Sequence, residues 1–309
     1  MKGVTTIGLG VAIVSGMAAG VARSQQPPAQ PAAAVDHSTE CPSACLKDML
    51  ERYLAAFLKH DPSSLPVAPS IKAAENSHQI ALGENAWRTV LKLRPDRMVF
   101  TDPFAGQAVA IGTLEMGGGE PFIYALRLAI DKGRIAESEM MVTAESIAGR
   151  HFKPDTIASF EPLLTQTLPA AARPTREQLL EQSREFWNEK DGFRSAPDCI
   201  HTENGEQAPG NRLGCPAAQQ PGGDSLFTGR RDIRHVLEDT EHGVAITYVN
   251  QDATPRPRPV QADERTPLLS QRPVTVYSLD LLKLVDGQVK REALFTNIQE
   301  ANAPLPFVN

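Results

Sequence analysis

Basic charge is in short supply. Lysine and arginine number 31 against 37 aspartates and glutamates, for a formal net charge of −6. No nucleic-acid partner is expected, because such proteins carry a basic patch to neutralise phosphates. The densest arginine stretches are Arg230-Arg231 with Arg234, and Arg256 with Arg258 in a proline run; both read as solvated surface charge. The chain lacks a Gly-x-Ser-x-Gly elbow, a phosphate-binding loop and a dinucleotide fingerprint. The cysteine pairs lack CxxC spacing and only His201 lies near a cysteine, so neither a metal nor any other cofactor is expected. Beyond residue 24, no segment is long and apolar enough to cross a membrane.

The first residues hold what the rest lacks. Lys2 is the only charge before Arg23, and an apolar run rich in glycine and alanine lies between them. The run ends in the small residues Gly20-Val21-Ala22. A positive start, an apolar middle and a small-residue end make a secretory signal, expected over 1–24. The alternative is an uncleaved anchor, for which the glycines are unfavourable. The Pro/Ala/Gln stretch over 25–40 cannot bury enough apolar area to order itself and reads as a linker. Export to the periplasm or the exterior follows, with no membrane contact after cleavage. Four cysteines fit that setting as two local pairs, Cys41/Cys45 and Cys199/Cys215. Three connectivities are open, and the two local bridges are favoured.

The two halves repeat an order of signals. Counting from Met49 and Leu179, Leu50 matches Leu180, Phe57 matches Trp187, Asp61 matches Asp191, and Glu75-Asn76 matches Glu203-Asn204. Gly83 to Leu91 resembles Gly229 to Leu237, and the stretch from Phe122 parallels that from Val276. Repeats this long are domains, not solenoid units. The expected boundaries are 41–150 and 175–309, joined by a proline-bearing connector over 151–174. Each copy opens with an amphipathic helix, about 45–59 and 175–189, and Thr175 with Gln178 makes a capping box. A short strand ending at Glu-Asn follows, then a brief helix, about 84–91 and 230–238, then long alternating strands. Asp131-Lys132-Gly133 and Asp286-Gly287 signal hairpin turns. The fold class is α+β. The second copy has two insertions, about 199–228 and 252–273.

Cys45-Leu46, Tyr53-Leu54-Ala55-Ala56, His60-Asp61-Pro62, Leu65-Pro66-Val67-Ala68-Pro69, Glu75-Asn76, Leu82-Gly83 and Trp87-Arg88-Thr89 resemble a secreted, uncharacterised domain family of fungi and bacteria. The order of elements resembles the nuclear transport factor 2-like superfamily, which includes the SnoaL-like cyclases. The resemblance implies two cone-shaped domains, each a curved antiparallel sheet wrapped on its N-terminal helix, with room for a small ligand. It implies no particular reaction, since one fold hosts many.

Glu75 and Glu203 end the first strand of each copy, and a carboxylate in an apolar pocket can act as general acid or base. Their structural reading is to hold the turn, with Asn76 and Asn204 beside them. His201 lies two residues before Glu203 on the same strand face and makes an acid–base pair with it; His78 is its loose analogue. Tyr53, Trp87 and Trp187 are core or pocket wall. Arg88 and Arg127 are expected to face the pocket and pair with Glu75 or an acidic ligand. Glu137 and Glu139 share a strand face, and Glu292 lies on the corresponding strand of the second copy. The expected activity is a cofactor-independent lyase or isomerase acting on a small, largely apolar molecule. The rival is a non-catalytic binding or scaffolding protein whose two domains pair and whose interiors are filled.

Overall fold

Leu46, Leu50, Tyr53, Leu54 and Phe57 fall at helical spacing, and they form the buried stripe of α1 (Ser43–Leu58). The computed structural model describes residues 36–144, 154, 157, 162–188, 193–207, 215, 227–254 and 272–307. The expected leader and most of the expected linker and of both insertions lie outside the described residues. Asp61 accepts from Ser63 N and stops the helix. β1 (Val67–Glu75) and β2 (His78–Ile80) form a short hairpin, α2 (Ala86–Thr89) follows, and then four long strands: β3 (Val90–Asp102), β4 (Gln107–Met116), β5 (Pro121–Asp131) and β6 (Arg134–Thr143).

The second half repeats this. After one turn of helix, α3 (Pro162–Thr165), comes α4 (Arg176–Asn188). It is opened by the expected capping box: Thr175 N donates to Gln178 Oε1 at 2.8 Å and Gln178 N to Thr175 Oγ1 at 3.2 Å. Strands β7 (Ser195–Glu203), β8 (Glu206–Gln207), β9 (Phe227–Asp239), β10 (Val244–Ala253), β11 (Val274–Val285) and β12 (Gln288–Glu300) complete it. The expected helix over 230–238 is absent. Those residues belong to β9, where Leu237, His235 and Arg234 pair with β10. A helix so short has little stability of its own, and the free edge of β10 satisfies the backbone instead.

Each half is a six-stranded sheet, ordered β2-β1-β6-β5-β4-β3 and β8-β7-β12-β11-β10-β9. The sheets are mixed rather than antiparallel throughout, because β1 runs parallel to β6 and β7 parallel to β12. The four-strand meander brings its last strand back to the free edge of the first hairpin in the same direction. Lys132-Gly133 and Asp286-Gly287 turn their hairpins with positive φ, from 49° to 74°.

Both bridges are local, Cys41–Cys45 and Cys199–Cys215, with Cα–Cα distances of 5.1 and 5.2 Å. Among the described residues, no helix is long and apolar enough to cross a membrane.

The α1 stripe packs with Ala110, Leu126, Leu128 and Met140 on one face of the first sheet. The opposite face carries Met98, Phe100, Val109, Ile111, Ile123 and Ala125, and packs against Leu237, Ile246, Tyr248, Leu279, Leu281 and Phe295 of the second sheet. The sheets therefore stack back to back, each keeping its helix on the far side. Apolar burial dominates this contact, at about 1.5–3 kcal/mol for each fully covered large side chain.

Candidate functional site

Strand register arranges the inner faces, those turned toward the helices, into comparable rows. In the second sheet one row runs Thr247, Asp280, Leu294, Glu203, and the next Ala245, Leu282, Glu292, His201. The same rows in the first sheet read Ala110, Leu126, Met140, Glu75 and Ala108, Leu128, Ser138, Ala73. Glu75 and Glu203 hold the same place. Around them the first interior is largely apolar, whereas the second has gained an aspartate, a glutamate, a histidine and a threonine. Counted from Leu50 and Leu180, the helices add a further difference: Tyr53 in α1 stands where α4 has Ser183.

In the second interior, His201 Nδ1 lies 3.0 Å from Glu292 Oε2. Glu292 is buried, as is Asp280 one strand away. Burial raises the Asp280 carboxyl well above the usual range, and the charge of Glu292 raises it further. Glu203 Oε1 accepts from Thr296 Oγ1 at 3.2 Å. Behind this group, Ser183 Oγ lies 2.6 Å from Thr247 Oγ1 and 2.9 Å from His235 Nδ1. Burial, aided by the charge of Arg184, depresses His235 to about 4, so its ring stays neutral near pH 7.

The first interior is closed by aromatic side chains. Trp87 Nε1 donates to Tyr53 Oη at 3.2 Å, and the Trp87 ring meets Tyr53 and Phe57 edge-on at 5.1 and 5.2 Å. Burial lifts the Tyr53 hydroxyl to about 12. Burial also pushes Glu75 up to about 7, opposed by the 3.1 Å hydrogen bond from Ala86 N. His78 Nδ1 contacts Asn76 O at 2.8 Å, a local tie, and His60 Nδ1 contacts Trp87 O, tying the end of α1 to α2.

Asn76 and Asn204 act alike. Both sit at φ 46°, in the left-handed region that asparagine tolerates. Asn76 donates to Val142 O at 3.0 Å and accepts from Val142 N at 2.8 Å. Asn204 donates to Thr296 Oγ1 at 3.1 Å and accepts from Thr296 N at 2.9 Å. Each clamps the strand beside it.

The two arginines do not face Glu75. Arg88 is exposed and pairs with Glu84, four residues earlier and just before α2. Arg127 lies on the opposite, inter-sheet face, because strand alternation turns Leu126 and Leu128 inward. It bonds Glu139, Glu137 and Gln107, each at 2.8 Å. From the other sheet, Arg234 and Tyr277 reach the same Glu139 at 2.6 and 2.5 Å. Glu137 and Glu139 thus share a face as expected, but as counter-ions. Trp187 is buried in the second interior, edge-on to Phe186 at 5.3 Å.

Sequence reasoning passed over Asp280, Ser183, His235 and Thr247. A signal for Asp280 existed. In the stretch from Val276 that parallels the one from Phe122, it replaces Leu126 at an inward-facing position. One metal-type trio, His37, Glu40 and Asp131, exists among the described residues, and its carboxylates are exposed.

No protein-family model and no curated protein matches the chain. Solved structures similar to it include a nuclear transport factor 2-like protein of unknown function from Mesorhizobium loti, at 19% identity, covering 33% of this chain and 93% of that one with a TM-score of 0.24. A candidate SnoaL-like polyketide cyclase from Jannaschia is similar at 17% identity, covering 43% and 92%, with a TM-score of 0.27. A de novo designed protein of the nuclear transport factor 2 fold is similar at 16% identity, covering 31% and 82%, with a TM-score of 0.23.

Proposed function

We propose that this is an exported protein of two tandem α+β domains, 41–150 and 175–309, and that the second acts on a small, largely apolar organic molecule as a cofactor-independent lyase or isomerase. The leader over 1–24 directs export, and the two bridged cysteine pairs suit an oxidising compartment. Each domain closes as a cone round its first helix, with the connector over 151–174 between them.

The observation that carries the reading is the 3.0 Å contact of His201 with Glu292 on an inner face whose first-half equivalents are Ala73 and Ser138. Glu292 lies against Nδ1 as the ring's ion-pair partner and leaves Nε2 to exchange a proton with the substrate. Glu203, on the same face, helps position the substrate. Proton transfer of this kind needs no metal or organic cofactor.

The rival reading, a filled binding or scaffolding fold, is favoured for the first domain by the Trp87–Tyr53 hydrogen bond and the Phe57 contact that close its interior. The two roles then divide between the domains.

The test is the base-promoted ring opening of 5-nitrobenzisoxazole, a small neutral probe that reports a desolvated general base whatever the natural substrate. The full chain accelerates it, and His201→Ala lowers kcat/KM by about 100-fold or more, while Glu75→Gln has little effect. Equal rates for the parent and His201→Ala sink the reading.

A further inference from the structure

Asp280 is a buried carboxylate of the second interior with no cation to offset it. It is 1% exposed, and neither of its carboxylate oxygens has a hydrogen-bond partner. The Trp187 indole N–H is the one donor that acts on it, and the one charged group acting on it is the like-charged Glu292. No lysine or arginine among the described residues offsets it. Buried polar groups are normally paired, and an acid left without a cation is costly to the fold. The first half avoids that cost with Leu126 in the same place.

The neighbours extend the pattern. Asp280 opposes Leu294 on β12, which puts Glu292, two residues earlier, at the diagonal position within reach of a shared ligand. Ser278, two residues before Asp280 on the same face, is fully buried and its hydroxyl also has no partner. Around these acceptors stand Leu282, Leu294 and Val249, an apolar wall. A metal ion fits poorly, because the ligand atoms of His201, Asp280 and Glu292 do not converge as those of His37, Glu40 and Asp131 do. An ammonium group fits better. It is a compact cation with three donors, able to bridge Asp280 and the diagonal Glu292 while an apolar body lies on the leucines.

We infer that Asp280 anchors a cation-binding subsite in the second interior, and that the small molecule taken there is an amphipathic organic amine. The inference rests on the reading that this interior is the ligand site, and it narrows the substrate class from apolar molecules in general to those bearing a protonated nitrogen. Asp280 binds and orients; the proton transfer stays with His201.

The experiment compares three probes of one shape, benzylammonium, benzyl alcohol and benzoate, by calorimetry on the full chain with its disulfides intact. Benzylammonium binds about tenfold or more tightly than benzyl alcohol, the gain of a hydrogen-bonded charge over a neutral group, and benzoate binds least. Asp280→Asn, which keeps the shape, brings the ammonium-to-alcohol ratio to about one, and Asp280→Leu, which restores the first-half residue, does the same. Asp198→Asn, at an exposed carboxylate paired with Lys290, leaves the ratio unchanged. A parent chain that does not prefer the ammonium, or a preference that survives both Asp280 substitutions, overturns the inference. Ammonium preference without ring opening of 5-nitrobenzisoxazole keeps the subsite and removes the acid–base reading; ring opening without ammonium preference does the reverse.

Discussion

Asp102 and Asp239 each accept the backbone N–H of the residue that precedes the other. Thr101 N donates to Asp239 Oδ2 at 2.9 Å, and Glu238 N donates to Asp102 Oδ2 at 3.1 Å. The two aspartates end β3 and β9, the matching strands of the two sheets. The exchange is the self-complementary contact of a two-fold dimer, realised within one chain.

Each aspartate is buried and holds further groups. Asp102 takes the Arg176 guanidinium at 2.7 and 3.0 Å, and Asp239 takes His242 Nδ1 at 2.8 Å. Asp102→Ala and Asp239→Ala are each expected to cost on the order of 3 kcal/mol, because they leave donors unpaired in a dry interface. The double variant loses less than the sum, since both act on one contact. Urea denaturation of the four proteins in the cycle measures this.

Glu75 makes stability depend on pH in the opposite sense from a paired carboxylate. Burial raises it from 4.5 to about 7, so between those values the folded chain keeps a proton that the unfolded chain has released. The folded state binds more protons in this window, and Glu75's contribution therefore falls as pH rises from 4.5 to 7. Melting temperatures of the parent and Glu75→Gln across pH 4.5 to 8 check it. The difference between them moves in favour of the glutamine variant as pH rises, and a constant difference contradicts the assignment.

Asp280 is expected to weaken the empty protein. Replacing a buried acid that has no counter-ion with an apolar residue of the same shape removes a desolvation cost of about 1–3 kcal/mol. Asp280→Leu should therefore raise the melting temperature by scanning calorimetry while abolishing ammonium preference. A lower melting temperature would mean that Asp280 is satisfied in the fold and serves structure.

Much of the architecture is legible in the residues. The α1 stripe, the Thr175–Gln178 box and the Lys132-Gly133 and Asp286-Gly287 turns all involve neighbours in the chain, so their chemistry is written locally. The match of Glu75-Asn76 to Glu203-Asn204 aligns the two sheets. Local reasoning fails where a distant strand decides. Residues 230–238 read as a helix by analogy with 84–91, but β10 draws them into β9. Arg127 reads as a pocket residue, yet the pleat turns it toward Glu139 and, across the sheets, Arg234.

The sequence by itself determined the two-fold repeat, the helix stripes and the turns, because each depends on spacing along the chain. Only the tertiary structure decided which face of each strand is inside, that the two sheets stack back to back, and that Glu292 stands between His201 and Asp280 on one inner face. Those residues lie on three strands separated by turns and loops. Their proximity is set by register and burial, and no spacing in the chain encodes it.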